Sequence, residues 1–478
     1  MTLRKITMIG AGSPGFSLAV GEDLMQSPIL RASRFVLMDI DATRLDASAK
    51  RMQELAQQLG SPLQIESTTD RRAALDGAAY VVTSCEAKRA PFWVQDLKIP
   101  ARYGVHQLTG ENGGPGGQIH AMRNITLFMD ICRDMRELCP DAWLMNFTNP
   151  MSFICTFAHR YGGVKTLGFC HQVHGSFGVI AEMLGYQPGE LEVITAGVNH
   201  FNWLIDIRRK GSGESCLAWF LDQVRESEHW RGVRSNVPCQ HFTRELLDLL
   251  GIYPVGYDDH IAEYIPFFYD LEERRQIGYT DHAADLSAWM NDVARHGGGF
   301  EAQVKAASEA KVPIPRDAHH PYYREKTCAM MEALETNSPT YTDAINIVNH
   351  GCVDNLPADA VVDIPAVAIG GEVRGVHVGP LPRAAAELCR RQITIHELVV
   401  EATVHGDRQL ALQAMCLDPY VRSLRQARQI LDEFLTVYRD YLPQFHRAQS
   451  SGPAQAGQIA KDGAGVAAFD EMSLGRTS

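Results

Sequence analysis

The feature that most constrains this chain lies in its first 40 residues. An apolar run, Lys5-Ile-Thr-Met-Ile9, passes directly into Gly10-Ala-Gly12-Ser13-Pro-Gly15-Phe16, and a second apolar run, Phe35-Val-Leu-Met38, ends on Asp39. This order reads as strand, glycine-rich turn, helix, strand and acid. Gly10 permits a tight turn, and Gly12 lets backbone N–H groups approach a pyrophosphate at the helix N-terminus. An acid after the second strand can bond the ribose hydroxyls of a dinucleotide. The third glycine of the usual fingerprint is absent, because Ser13, Pro14, Gly15 and Phe16 fill the turn. An ordinary βα turn of another doubly wound domain therefore stays open.

The spacing predicts a helix over 42–59, a buried strand over 79–84, a long amphipathic helix over 121–138 and a strand over 143–146. Such β-then-α alternation builds a parallel, doubly wound sheet that collects ligands beyond the carboxyl ends of its strands. Ser84, Asn149 and Cys170 all follow apolar runs and should lie there. Later the pattern loosens, with long helices expected at 383–405 and 419–442. The reading divides the chain into a Rossmann-like domain at 1–195, a mixed α+β substrate and metal region at 196–445, and a disordered Gly, Ala, Ser and Gln-rich tail at 446–478.

A net charge of −12 argues against nucleic acid or an anionic membrane as the main partner, and no apolar stretch approaches the ~20 residues of a membrane span. Eleven cysteines without paired spacing fit reduced thiols and a cytoplasmic location. The expected partner is a small molecule.

Four segments could carry chemistry. Gly110-Glu111-Asn112-Gly113-Gly114-Pro115-Gly116-Gly117 holds five glycines and a proline in eight positions and reads as a loop, with Glu111 its only ionisable group. Asn149, before Pro150, can bond a ribose or substrate hydroxyl or simply start a turn. Cys170 and His200 end two apolar runs and could share one transition metal, although so distant a pair is more often structural. Asp258-Asp259-His260-Ile-Ala-Glu263-Tyr264 could supply a base, or could be a solvated helix start capped by Asp258 or Asp259.

These segments, in this order, resemble glycoside hydrolase family 4, the NAD-dependent glycosidases. The resemblance joins the Gly-Ala-Gly-Ser turn, the Gly-Pro-Gly-Gly run, Asn-Phe-Thr-Asn-Pro, Cys-His-x-Val, Gly-x-Asn-His and Asp-x-His-x-x-Glu-Tyr. It continues through Asn349-His-Gly-Cys-Val-Asp-Asn355, Gly379-Pro-Leu-Pro382 and Glu397-Leu-Val-Val-Glu401 to Asp418-Pro419. It implies an α/β fold of the lactate and malate dehydrogenase type, with the mixed C-terminal region packed intimately on the Rossmann-like sheet. It also implies NAD and a divalent metal, usually Mn²⁺, and a homodimer or homotetramer. The implied reaction oxidises sugar C3 by hydride transfer to NAD⁺, removes the C2 proton, eliminates the aglycone, adds water and returns the hydride, so that NAD is regenerated in each cycle.

Carried over residue by residue, Cys170 and His200 match metal ligands, Asn149 a substrate contact, and Gly10, Gly12, Ser13 and Asp39, with Phe16 in the same turn, the NAD site. Asp258 sits where the base is expected, with Tyr264 and Asp259 competing, and Glu111 is expected to act as the acid for the leaving group. His171 replaces the Asn or Asp of the 6-phosphoglycosidase branch and joins the catalytic set, which disfavours a phosphosugar. Gln172 stands at a substrate-selecting position where α-galactosidases and α-glucosidases carry Ser and α-galacturonidases Glu. Neutral α-hexosides are therefore expected ahead of uronides. Rival readings are a 2-hydroxy acid dehydrogenase with the same dinucleotide domain and a catalytically silent NAD sensor.

Overall fold

The structure is a computed structural model that describes residues 3–12, 14–226, 241–256, 258–268 and 326–447. Short apolar strands alternate with helices through the first third of the chain. Strands β1 (Lys5–Ile9), β2 (Arg34–Met38), β3 (Gln64–Thr68), β4 (Tyr80–Thr83), β5 (Trp143–Asn146) and β6 (Lys165–Gly168) pair in parallel in the order 3-2-1-4-5-6. That is the order of a Rossmann-like doubly wound sheet. Helices α1 (Pro14–Gln26) and α2 (Ala42–Gln58) pack on one face, and α5 (Gly114–Leu138) and α6 (Met151–Phe157) on the other. Helices α3 (Arg71–Leu75), α4 (Arg89–Arg102) and α7 (His171–Leu184) complete the N-terminal crossovers. Both faces of the central strands are thus covered, which is why β1, β2 and β4 read as nearly continuous apolar runs.

The sheet does not end at β6. Strands β7 (Leu191–Val198) and β8 (Phe201–Arg209) form a hairpin, β9 (Pro254–Val255) pairs with β8, and β10 (Thr340–Val348) and β11 (Val361–Ile369) insert between β6 and β7. Strand β12 (Glu372–Gly375) pairs with β11. The mixed C-terminal region therefore extends the parallel sheet with antiparallel strands, and helices at Arg383–His405, Arg408–Leu417 and Leu424–Val437 close over α5. Among the described residues no helix is long and apolar enough to cross a membrane, and no disulfide forms.

Two expectations need correction. Gly114, Pro115, Gly116 and Gly117 are not loop but the first turn of α5, buried throughout. Pro at the first turn needs no N–H donor, and the glycines are tolerated because Gly114 has a left-handed φ of 70° against the Gln107 side chain, while the backbone of Gly110 and Asn112 leaves no room for side chains at Gly116 and Gly117. The helix expected over 419–442 begins only at Leu424, because the Asp418 carboxylate accepts the Tyr420 N–H in a turn and Ser423 caps the helix. The helix at 383–405 lies where the spacing places it and stops at Gly406 in the left-handed region. The expected tail at 446–478 falls outside the described residues from 448 onward.

One register line at the carboxyl ends of the parallel strands is polar across the sheet: Thr83, Asn146, Gly168, Asn346, Asp363, Gly197 and Asn202 pair in succession. Asp363 is buried, and desolvation pushes it up to about 7, opposed by the amides of Asn202 and Asn199. Its ordinary value is 3.8, so between about 4 and 7 the folded state keeps a proton that the unfolded chain has lost. Its contribution to stability is fully present at low pH and declines as pH rises through that window. Asp363→Asn has no such proton. Its urea midpoint relative to the native protein should climb from pH 4 to 7 and level off above, and a pH-independent difference would contradict this account.

Candidate active site

The glycine-rich turn after β1 is shaped by Asp39. Gly10 and Ala11 both donate to the Met38 carbonyl, at 2.9 and 3.0 Å, and the Gly12 N–H donates to Asp39 Oδ2 at 2.8 Å. A Cβ on Gly12 would lie 2.7 Å from that same oxygen, so only glycine lets the turn close on the acid. Asp39 Oδ1 accepts the Asp41 N–H at 2.9 Å, and each carboxylate oxygen retains a second lone pair for a hydroxyl. Phe16 packs on Phe147, which stacks on Phe169, in an aromatic row beside the ends of β5 and β6. Ser13 lies outside the described residues.

Across the cleft, β7 and β8 pair Val198 with Phe201, leaving Asn199 and His200 as a two-residue hairpin turn. His200 occupies the left-handed region, φ 63°, which turns its backbone sharply and buries its imidazole. Its ring lies 4.4 Å from that of His260, centroid to centroid, and its Nδ1 is 3.0 Å from the Asn112 side-chain amide. Glu111, His200 and His260 each bring one potential ligand atom to within 4.8 Å of the others. Burial, reinforced by His260 and His171, pushes His200 well below its ordinary value, leaving a neutral imidazole with a lone pair to offer.

Glu263 holds this arrangement together. Its carboxylate Oε2 accepts the backbone N–H groups of Asn112 and Gly113, at 2.5 and 2.6 Å, where α5 begins. Gly113 is the N-cap residue and has no side chain to cap with. Burial pushes Glu263 up to about 8, opposed by His260 and the two N–H donors and aided by Glu111. Further along α5, His120 Nδ1 meets the Glu111 carbonyl and His120 Nε2 meets Glu86, both at 2.9 Å. One turn on, the Asn124 amide reaches the Asn149 carbonyl at 2.7 Å.

The remaining residues of the sequence reading are placed as follows. Cys170 precedes α7 at its N-cap position, and His171, exposed, is the first residue of that helix. Tyr264 is buried, stacks on Phe201 at 5.0 Å and donates its hydroxyl to the Asn199 carbonyl at 3.1 Å. Burial, then Glu263, Glu111 and Cys170, push its hydroxyl well above the ordinary range. The Asp258 carboxylate is buried and accepts the Phe242 N–H, the Thr243 N–H and the Thr243 hydroxyl, capping the helix α9 (His241–Leu250). Gln172 is buried and donates to the Val255 carbonyl at 3.2 Å. The side chain of Asp259 is outside the described residues. The sequence assigns His260 no role and Glu263 only a place near the first turn of a solvated helix, although the Asp-x-His-x-x-Glu-Tyr spacing contains both.

A dinucleotide-type turn after β1 and a carboxylate and imidazole cluster at the β7–β8 hairpin of the same sheet accord with the comparisons. The model of the family 4 glycosyl hydrolases matches residues 5–186, and that of their C-terminal domain matches residues 195–421. The chain is a family 4 glycosyl hydrolase. An α-glucosidase of Erwinia rhapontici is 30% identical over 456 residues, covering 92% of this chain and 98% of the relative. An α-galactosidase of Bacillus subtilis (strain 168) is 30% identical over 450 residues, covering 93% and 100%. The 6-phospho-β-glucosidase of Thermotoga maritima, solved with manganese, NAD⁺ and glucose-6-phosphate, shares the fold with a TM-score of 0.76 at 21% identity, covering 92% of this chain and 99% of that one.

In this family 4 glycosyl hydrolase, Gly113 is the point of closest approach between the two segments that build the site. A Cβ there would meet the Glu263 carbonyl oxygen at 2.5 Å and its Cβ at 2.8 Å, neither of which can swing aside. Gly113→Ala should lower the free energy of unfolding by about 1–3 kcal/mol, the usual cost of overpacking, and reduce glycoside turnover at least tenfold. Glu263→Gln, which keeps an acceptor oxygen, should be milder on both counts. Urea titration and steady-state kinetics read the two effects, and native behaviour of the alanine variant would refute the close-approach argument.

Proposed function

We propose that this glycoside hydrolase cleaves α-hexosides whose glycone carries no phosphate, α-galactosides and α-glucosides foremost, with NAD and a divalent metal ion. The route is oxidation at C3, loss of the C2 proton, 1,2-elimination of the aglycone, addition of water across the C1–C2 double bond and reduction of C3 back to the alcohol, with no net change in the cofactor. The observation that carries this reading is the meeting of Glu111, His200 and His260 opposite a turn built for a dinucleotide. The Erwinia α-glucosidase and Bacillus α-galactosidase support the substrate class, and the Thermotoga enzyme, with its manganese and NAD⁺, supports the cofactors.

The residues present fit both groups. Gly10, Gly12 and Asp39 would hold NAD, with Phe16 and Ser13 in the same turn, and His200 with Glu111 and His260 would hold the metal, while Cys170, outside that close group, joins the ligand set on the family resemblance. That mixed set of imidazole, thiol and carboxylate suits a first-row transition ion such as Mn²⁺. When bound, the pair supplies a reversible hydride acceptor and positive charge beside the sugar oxygens.

The chain's own groups divide the remaining work. Asn149 bonds a sugar hydroxyl. The acceptor of the C2 proton is drawn from Asp258, whose carboxylate also caps the His241–Leu250 helix, and Tyr264, whose hydroxyl also donates to the Asn199 carbonyl. Glu111 is assigned to the metal centre rather than to leaving-group protonation, because it stands with the two imidazoles. His171, exposed at the start of α7 and close enough to depress His200, is left as the proton donor to the departing aglycone. We further infer a homodimer or homotetramer in the cytoplasm, a reading supported by the family resemblance and tested by light scattering of the purified protein.

Incubation with NAD⁺, Mn²⁺ and aryl α-galactoside, α-glucoside, α-glucuronide and α-galacturonide in D₂O tests the reaction. Deuterium at C2 of the released sugar, without net NADH, is expected. Hydrolysis with no C2 deuterium would overturn the elimination route, and net NADH would favour the dehydrogenase. Cys170→Ser should weaken Mn²⁺ binding, read by electron paramagnetic resonance, at least tenfold while leaving NAD⁺ binding nearly intact. Unchanged Mn²⁺ affinity would remove Cys170 from the metal set.

A further inference from the structure

Asn112 follows Glu111 in the chain, is buried, and turns its side-chain amide toward the imidazole cluster. Its Nδ2 lies 3.0 Å from His200 Nδ1 and 3.3 Å from Glu111 Oε2, so one NH₂ group spans two of the three residues that could hold a cation. Its backbone N–H is fixed by Glu263 at 2.5 Å. We propose that Asn112 is a positioning residue for His200: by a half-turn of its amide it sets which ring nitrogen keeps a lone pair, and so whether the imidazole can take a divalent cation through Nε2. This inference rests on the metal-dependent glycosidase reading above and deepens it.

The position of one proton decides what His200 can do. A neutral imidazole has one N–H and one lone pair, so the partner of one nitrogen determines the state of the other. With the Asn112 NH₂ donating to Nδ1, the orientation found in the structure, the ring proton sits on Nε2, and that nitrogen has no lone pair to offer a cation. The same amide turned by 180° presents Oδ1 instead, accepts a proton on Nδ1, and leaves the Nε2 lone pair available. The ring proton moves from Nε2 to Nδ1 by exchange with water, without change of charge. Metal-bound histidines commonly hold their second nitrogen in this way, through an N–H bonded to an oxygen.

Two further observations favour a turning amide over a fixed one. Asn112 Oδ1 is buried and has no hydrogen-bond partner among the described residues, so the present orientation leaves an acceptor unmet. The NH₂ group also engages the Glu111 carboxylate, which a cation would claim, and entry of the cation thereby weakens one of the two bonds that hold the amide in place. The imidazole is poorly placed to turn in its stead. His200 sits in the left-handed region, φ 63°, with its ring buried and 4.4 Å from that of His260.

Magic-angle-spinning ¹⁵N NMR of histidine-labelled protein reads the tautomer directly, the His200 signals being identified by their loss in His200→Gln. Zn²⁺ serves as the diamagnetic probe, and Mn²⁺ affinity is read separately by electron paramagnetic resonance. In chelator-treated native protein the His200 proton should reside on Nε2, and with Zn²⁺ on Nδ1. Asn112→Asp, whose ionised side chain can only accept, should keep the proton on Nδ1 with and without Zn²⁺. Asn112→Ala, which can neither donate nor accept, should weaken Mn²⁺ binding at least tenfold while leaving NAD⁺ binding within threefold of native. If the alanine variant does not fold, the native and aspartate spectra still decide. A proton that stays on one nitrogen when Zn²⁺ binds, Zn²⁺ coordinated through Nδ1, or native Mn²⁺ affinity in Asn112→Ala would overturn the role of Asn112 while sparing the metal centre and the glycosidase reading. Failure of the native protein to bind either cation would overturn both.

Discussion

The site depends on one carboxylate at one helix end. Helix α5 is 25 residues long and starts in glycine with no side-chain cap; the Gly116 N–H finds Gln107 Oε1, and the N–H groups of Asn112 and Gly113, just ahead of the helix, need a more distant acceptor. Glu263, 150 residues further along the chain, supplies the acceptor. That contact lays the segment bearing Asp258, His260 and Tyr264 against the segment bearing Glu111 and Asn112, and so brings a carboxylate and two imidazoles from three parts of the sequence to one point. Burying the carboxylate is costly, as its rise to about 8 records. Two backbone donors and the positive end of a long helix offset part of that cost.

From that end, α5 distributes order along its length. His120 and Asn124, one turn apart, tie the Glu111 carbonyl, Glu86 and the Asn149 carbonyl to a single rigid element. Arg123 and Asp96 form a buried bidentate pair, over which Tyr438 stacks its ring and to which it adds a hydrogen bond. Gln118 bonds Asp418 ahead of the last helices, and at the far end Asp134 takes both Arg71 and Arg72. Groups near the reacting centre thus sit on a helix whose position is fixed from several directions, the condition for holding them within a fraction of an ångström.

Much of this was legible because it obeys local rules. The parallel half is legible in apolar runs of strand length, and the dinucleotide turn in Gly10, Gly12 and Asp39, whose hydrogen bonds fall within the first 41 residues. The start of α5 was misread because composition alone cannot say that four residues rich in glycine form a buried helical turn, its partner Glu263 being remote in sequence. The extension of the sheet by β10 and β11 was equally hidden, since those strands come from residues 340–369 yet lie between β6 and β7. His260 escaped notice because a histidine becomes a ligand candidate only when folding supplies its neighbours.

Gln172 shows how fold and specificity exchange roles. By its place after Cys170 and His171 it would be expected to read the substrate, yet its amide is buried and bonded to the Val255 carbonyl, and a Cβ at position 256 would come within 1.8 Å of its nitrogen. Glutamine at 172 and glycine at 256 therefore form a matched pair, and the side chain fastens β9 just ahead of Asp258, His260 and Glu263. A shorter serine could not span that gap, and an ionised glutamate could not donate to a carbonyl. Position 172 is thereby committed to holding the segment that builds the centre.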